Sequence, residues 1–73
     1  MLDKLHQIKV GWTIDQIEEL VGKPDETIDA SIAPRIIYYI NDTEKAFIDF
    51  FGNKVASIKI ENTETGETTT ILE

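Results

Sequence analysis

Residues 10–25, VGWTIDQIEELVGKPD, contain signals for both ends of one short helix. Thr13 and Gln16 have the spacing of a capping box, in which each side chain accepts a hydrogen bond from the other residue's backbone N–H. Gly22 can adopt the left-handed conformation that closes a helix, and Pro24 lacks the N–H needed to continue one. The pattern predicts a helix that begins after the cap and ends at, or just before, the glycine.

Apolar residues within this helix recur every three or four positions and predict one buried face. They are Ile14, Ile17, Leu20 and Val21. Trp12 precedes the cap and has the spacing of a hydrophobic staple with Ile17, so the indole is expected to pack on the first turn. A shorter helix is predicted upstream, where Leu2, Leu5 and Ile8 recur at three-residue spacing.

Three segments rich in β-branched and aromatic residues follow, and they are predicted to be strands. They are RIIYYI (35–40), KAFIDFF (45–51) and KVASIKI (54–60). Their short connections predict an antiparallel meander. Residues 68–72 are predicted as a fourth, edge strand after a Thr65-Gly66 turn, with Ile60 opposite Ile71. Residues 25–34 are typical of a connection with at most a short irregular strand.

These elements predict an α+β fold of the ααβββ type, with two short N-terminal helices packed on one face of an antiparallel sheet of three or four strands. One domain is expected over residues 1–73, with a helical part (2–22), a connection (25–34) and a sheet (35–72). A domain of this size buries roughly 60% of its unfolded surface. Because the sequence contains no cysteine, the core must be held by hydrophobic packing.

Polar residues assign the faces of the middle strands, because side chains alternate along a strand. Asp49, Ser57 and Lys59 are expected to face water. The residues expected to face the helices are then Ala46, Ile48, Phe50, Ala56, Ile58 and Ile60. A two-residue Gly52-Asn53 turn would place the two strands' apolar sets on opposite faces. A three-residue turn, 51–53, with Asn53 left-handed and a bulge, is therefore expected.

A four-residue turn at 41–44 would pair Ile37 with Ile48 and direct Ile37 and Tyr39 toward the helices. The opposite face would then contain Ile36, Tyr38, Ile40, Phe47 and Phe51 around Asp49. A register shift of one residue would exchange Ile36, Tyr38 and Ile40 for Ile37 and Tyr39 and leave an apolar face in either case.

Contiguous exposed apolar residues are typical of interaction surfaces. The residues predicted to bind protein are Ile36, Tyr38, Phe47 and Phe51. The alternative is that residues 25–34 or the C-terminal strand fold over this face.

The net charge of -7 argues against nucleic acid as a ligand, because phosphate binding depends on clustered lysine and arginine. Membrane insertion is not expected, since no apolar run approaches the roughly 18 residues that span a bilayer. The sequence as written is expected to be soluble and unexported. A cleaved export signal would leave the same sequence, so the compartment stays open.

No pattern for catalysis or for a cofactor is recognisable: a glycine-rich phosphate loop, a nucleophile turn and a calcium loop are all missing from the sequence. His6, the only histidine, is expected to be a solvated helix residue and not a metal ligand. The protein is therefore predicted not to be an enzyme, and no cofactor or metal is expected.

The motifs KVGWT, IDQIEELVGKPDE, YY and IDFFGNKVASI together resemble the repeat unit of the SmpA/OmlA (BamE-like) lipoproteins and of the β-lactamase inhibitor proteins, over most of residues 8–60. The resemblance implies a BLIP-like fold and action by protein binding. This sequence lacks the lipid-bearing cysteine of the lipoproteins, and one short unit lacks the large concave surface of the tandem inhibitors. Neither membrane anchoring nor β-lactamase inhibition is therefore expected.

Two functions of different classes follow. The first is a non-catalytic protein-protein interaction module, either homodimerising or scaffolding. The alternative is a small acidic inhibitor or immunity-like protein that blocks a basic enzyme surface. A third interpretation is a structural fragment of a larger envelope protein. High salt is expected to spare an apolar contact and to slow association of an acidic blocker.

Overall fold

The computed structural model of the protein describes residues 2–73, which form two helices and a five-stranded sheet. The elements in chain order are α1 (Leu2–Leu5), α2 (Ile14–Val21), β1 (Glu26–Ile28), β2 (Arg35–Tyr39), β3 (Glu44–Phe51), β4 (Lys54–Asn62) and β5 (Thr68–Leu72). All neighbouring strands are antiparallel, in the order β1-β2-β3-β4-β5. The α+β class is confirmed, and the expected count of three or four strands is corrected to five.

Helix α2 has the predicted ends. The Thr13 N–H donates to Gln16 Oε1 at 2.9 Å and the Gln16 N–H donates to Thr13 Oγ1 at 3.4 Å, so the capping box is complete. The helix ends at Val21, and Gly22 follows with φ 101° and ψ -174°. This is an extended conformation with positive φ, which is essentially restricted to glycine, and not the left-handed helical one.

We expect Thr13→Ala to lower the free energy of unfolding by about 0.5–2 kcal/mol, because the first turn of an eight-residue helix would lose its cap. Urea denaturation followed by circular dichroism measures the change. Thr13→Ser, which keeps the capping oxygen, is the control and should differ little from wild type. An unchanged midpoint for Thr13→Ala would mean that the cap does not stabilise the fold.

The chain segment before α2 is hydrogen-bonded to the start of β4. The Gly11 N–H donates to the Val55 carbonyl at 3.0 Å, and the Val55 N–H donates to the Trp12 carbonyl at 2.7 Å. The indole of Trp12 is partly buried against the hydrophobic core. This main-chain contact fixes where α2 starts relative to the sheet.

One hydrophobic core lies between the helices and the sheet. Its buried residues are Leu5, Ile8, Ile17, Ile36, Tyr38, Ala46, Ile48, Phe50, Val55, Ile58 and Ile60. The predicted orientation of five strand residues is therefore confirmed, namely Ala46, Ile48, Phe50, Ile58 and Ile60. Ala56 was expected in this set but is exposed, and Val55 takes its place.

The β3-β4 turn explains the exchange of Val55 for Ala56. The turn has two residues, with Phe51 opposite Lys54 and Phe50 opposite Val55, and the register shifts between Asp49 and Phe50. The extra residue in β4 is Ala56, so a bulge restores the alternation that a two-residue turn would break. The expected three-residue turn was wrong, and the positive φ belongs to Gly52 and not to Asn53.

The predicted register between β2 and β3 was wrong by one residue. Ile36 lies opposite Ile48 and Tyr38 opposite Ala46, so Ile36 and Tyr38 face the helices, while Ile37 and Tyr39 face away from them. The cause is a shorter turn: Asn41 Oδ1 accepts hydrogen bonds from the backbone N–H groups of residues 43 and 44, both at 2.9 Å. The Ile40 N–H donates to the Glu44 carbonyl at 3.0 Å, so the turn closed by these two residues contains three residues, 41–43, where four were expected.

Strand β5 has the predicted bounds but another register, since Ile60 lies opposite Thr69 and not Ile71. Asn62 Oδ1 accepts from the N–H groups of Glu64 at 2.9 Å and Thr65 at 3.2 Å. The Asn62 N–H donates to the Glu67 carbonyl at 2.8 Å, which closes a four-residue turn, 63–66. The asparagine side chain therefore lengthens this turn by two residues relative to the expected Thr65-Gly66 turn.

The connection between α2 and β2 contains the short strand β1, which pairs with β2 at the sheet edge. Beyond β1, the Phe50 N–H donates to the Pro34 carbonyl and the Gly52 N–H to the Ile32 carbonyl. The connection thus lies beside β3 and does not fold over the sheet. None of the helices in residues 2–73 is long and apolar enough to cross a membrane.

Candidate protein-binding surface

We call the side of the sheet opposite the core the outer face. The strand registers arrange its side chains in four rows across the strands. The first row is Ile28, Arg35, Asp49 and Ser57; the second is Glu26, Ile37, Phe47, Lys59 and Thr70; the third is Tyr39, Lys45, Glu61 and Thr68; the fourth, beside the β3-β4 turn, is Phe51 and Lys54. Apolar residues thus occupy the centre, and polar or charged residues surround them.

Charges on the outer face are nearly balanced, unlike those of the whole protein. The rows contain three acidic and four basic residues. The whole chain has 14 acidic and 7 basic residues, so eleven acidic and three basic residues remain elsewhere. The excess of negative charge therefore lies off the outer face, and a partner that packs there meets none from the face itself.

Arg35, Phe47 and Asp49 form one cluster on this face. Arg35 Nε donates to Asp49 Oδ1 at 2.5 Å and Nη2 donates to Oδ2 at 3.3 Å, which makes a bidentate ion pair. The guanidinium carbon lies 5.1 Å from the centre of the Phe47 ring. The pair is partly exposed and contributes roughly 0.2–1 kcal/mol to stability. Its larger effect is to hold a planar cation beside the aromatic ring.

Tyr39 forms a second cluster at the same face. Its hydroxyl donates to the carboxylate of Glu26, and Lys45 Nζ lies 4.8 Å from the centre of its ring. The hydrogen bond to Glu26 is the main reason why the pKa of Tyr39 is raised above its ordinary value. Tyr39 is 45% exposed, so its ring is accessible from solvent while its position is fixed by two neighbours.

The four residues predicted to bind protein have separate positions. Phe47 lies half-buried at the centre of the outer face, and Phe51 is 73% exposed beside the β3-β4 turn. Ile36 and Tyr38 lie in the core, each only 1% exposed, and their assignment to the outer face was wrong. The fifth residue expected there, Ile40, is half-buried and packs against the core. Ile37, 6% exposed, occupies the position on the outer face that was predicted for its neighbours.

Tyr38 has a structural position. Its hydroxyl donates to the Gly22 carbonyl at 2.7 Å, which joins β2 to the end of α2. Burial, and next the charges of Glu18 and Asp25, raise the pKa of Tyr38 to about 12. Because the unfolded-state pKa is near the ordinary value of 10, the folded state is unaffected below pH 10 and loses stability as the pH rises from 10 toward 12.

A shallow groove of about 450 Å³ runs along the outer face from the centre to β5. It is lined by Arg35, Phe47, Lys59, Glu61, Thr68 and Thr70. The Arg35–Asp49 pair and the threonine-lined side of this groove were not predicted. One feature of the sequence could have revealed the ion pair. Arg35 alternates with Ile37 and Tyr39, and a β2-β3 register shifted by one residue from the predicted one places Arg35 opposite Asp49.

The described part of the chain contains no group of three or more histidine, aspartate or glutamate side chains positioned to hold a metal ion. Searches against protein-family models, curated proteins and solved structures found no match to this sequence or structure.

Proposed function

We propose that this protein is a non-catalytic protein-protein interaction module that forms a homodimer through its outer face. The observation that supports this most is the half-buried ring of Phe47 on that face, which lies next to Ile37 and between the Arg35–Asp49 and Tyr39–Glu26 pairs. Phe51 extends the apolar surface toward the β3-β4 turn. Aromatic side chains and arginine are both enriched in protein interfaces.

The charge distribution supports a second copy as the partner. Two molecules with a net charge of -7 each repel one another over most of their surfaces. The outer face, whose charges are nearly balanced, is the region where they can approach one another. The five strands cover about 20 Å by about 20 Å at ordinary strand spacings, so the interface belongs to the small class, typical of weak or transient contacts.

We expect Phe47→Glu to abolish self-association while the fold remains, because the charge would lie at the centre of the apolar contact and Phe47 lies outside the core. Sedimentation velocity over a concentration series, up to millimolar protein, measures the association. Val10→Glu, at an exposed apolar residue outside the sheet, introduces the same charge and is the control; it should associate as wild type does.

Phe51→Glu is the second variant, because Phe51 is too exposed for its replacement to unfold the protein. It should weaken association even if Phe47→Glu proves unstable. A wild-type protein that stays monomeric throughout the concentration series would refute the homodimer.

The alternative function, a small acidic inhibitor or immunity-like protein, is supported by the location of the excess negative charge. Asp15 and Glu19 are exposed on α2, away from the outer face. Binding of a basic protein through this helix should weaken steeply between low and high salt, whereas association through the nearly balanced outer face should persist. Replacing both residues by lysine would remove the first kind of binding and leave the second.

We further propose that the fold is of the SmpA/OmlA (BamE-like) or BLIP type. The supporting features are the capped helix after KVGWT, the strand that contains Tyr38 and Tyr39, and the hairpin of IDFFGNKVASI. Strands β1 and β5 complete the sheet on either side of that unit. An experimental structure that superimposes on a member of those families over α1 to β4 would test this proposal.

A further inference from the structure

Strand β5 forms an edge of the sheet whose backbone is available for another strand. It pairs with β4 on one side, and no other strand of residues 2–73 pairs with it. Its three threonines are exposed, and no proline or charged residue lies between positions 68 and 72. Edge strands usually contain such residues, which prevent pairing with other chains. β1, the opposite edge, has only three residues.

Backbone geometry identifies the groups that remain unpaired. The Asn62 N–H donates to the Glu67 carbonyl, and Thr69 lies opposite Ile60, two residues farther along each strand. Along an antiparallel strand, the backbone N–H and C=O groups of successive residues point alternately toward the partner strand and away from it. Those of Glu67 and Thr69 point toward β4, so those of Thr68 and Thr70 point to the open side. The register shift near Ile58 affects only the Leu72 end. Two residues thus offer two donors and two acceptors in regular strand geometry.

Side chains and charges indicate what kind of strand fits. Toward the core side of the edge lie Ile71 and Leu72, both half-buried, and toward the outer face lie Thr68 and Thr70. A strand with alternating apolar and small polar residues would continue both surfaces. Three acidic residues, Glu64, Glu67 and Glu73, flank the edge. A second copy would bring the same three carboxylates, so a chain with basic residues at both ends of its strand is the better match.

We propose that the β5 edge binds, by β-strand addition, an extended peptide segment that alternates apolar and small polar residues between flanking lysines or arginines. This mode of recognition obtains affinity from main-chain hydrogen bonds and specificity from alternate side chains. The inference goes beyond the proposed homodimer: it concerns a different surface, and either can be refuted without the other.

The test is a titration of the isotope-labelled wild-type protein with the synthetic peptide KKTVTVTKK, followed by amide chemical shifts and hydrogen exchange. We expect shifts confined to residues 67–73 and their β4 neighbours, with slower exchange of the Thr68 and Thr70 amides. Two control peptides separate the contribution of the flanking charges from that of the main-chain hydrogen bonds. EETVTVTEE should bind roughly tenfold more weakly, because its charges repel the acidic flanks. A peptide of the first sequence with alternate backbone nitrogens methylated should not bind.

Thr70→Pro removes one open-side donor without affecting a hydrogen bond to β4, and Thr70→Val is its matched control. The proline variant should lose peptide binding at least tenfold, on the order of one main-chain hydrogen bond, and the valine variant should retain it. Absence of shifts in residues 67–73 at millimolar KKTVTVTKK would overturn the proposal. So would equal binding of the methylated peptide, a result that holds even if the proline variant fails to fold.

Discussion

Replacing Tyr38 by alanine is expected to lower the free energy of unfolding by about 3–5 kcal/mol, the usual effect of removing a large buried aromatic side chain. Tyr38 is 1% exposed in the core, and its hydroxyl connects β2 to the residue after α2. A domain of 73 residues is stable by roughly 5–10 kcal/mol. The variant would therefore lose about a third of its stability or more, which urea denaturation can measure directly.

The neighbouring tyrosine is the matched control. Tyr39 lies on the opposite face and is 45% exposed, so Tyr39→Ala should cost less than about 1 kcal/mol. Tyr38→Phe isolates the hydroxyl and should cost about 0.5–1.5 kcal/mol, the contribution of one hydrogen bond. A larger loss at Tyr39 than at Tyr38 would mean that β2 has the other register and that Tyr38 belongs to the outer face after all.

Trp12→Ala is expected to lower the free energy of unfolding by about 2–3 kcal/mol, less than for a fully buried tryptophan because the indole is partly exposed. The main-chain hydrogen bonds between Val55 and residues 11 and 12 do not depend on the side chain, so the loss should reflect indole packing alone. Thermal melting together with urea denaturation provides the measurement.

Val10→Ala, at an exposed position two residues earlier, is the control and should have almost no effect. Trp12→Phe should recover most of the lost stability, because a ring would again cover this part of the core. If Trp12→Ala were as stable as wild type, the indole would be free of the core and would become a candidate contact for a partner.

Local signals in the sequence were sufficient to predict those features of the fold that one or two residues determine. The capping pair of Thr13 and Gln16 located the start of α2, and Gly22 located its end. Asp49 and Lys59 identified the solvent side of β3 and β4, so most of the core could be predicted. In each of these cases the physical cause lies within four residues along the chain.

The errors in the predicted fold arose where the length of a turn decides the register of the two strands that it joins. The side chains of Asn41 and Asn62 shorten one turn and lengthen another, and each change alters the register. The bulge at Ala56 lies within β4, whereas the sequence suggested that the extra residue belonged to the turn. Because one residue of shift moves every side chain to the other face, these small differences decided which tyrosine is in the core.

The candidate site was predicted in part for the same reason. Phe47 lies in β3, whose faces Asp49 defines, and its position on the outer face is confirmed. Ile36 and Tyr38 lie in a strand with no polar residue at its centre, so only Arg35, at the start of the strand, could have assigned their face. The ion pair between Arg35 and Asp49 depends on that register and could not be derived without it.

The order of the strands has a consequence for how the chain folds. Each strand pairs only with its neighbours in the sequence, so every hairpin closes a short loop at small entropic cost. The contact of Gly11 and Trp12 with Val55 is different, because it encloses α2 and three strands. The entropic cost of closing a long loop therefore arises when the N-terminal segment docks on the sheet. Contact order is low for the sheet and high for that docking step, so we expect docking of the helices, and not pairing of the strands, to limit the folding rate.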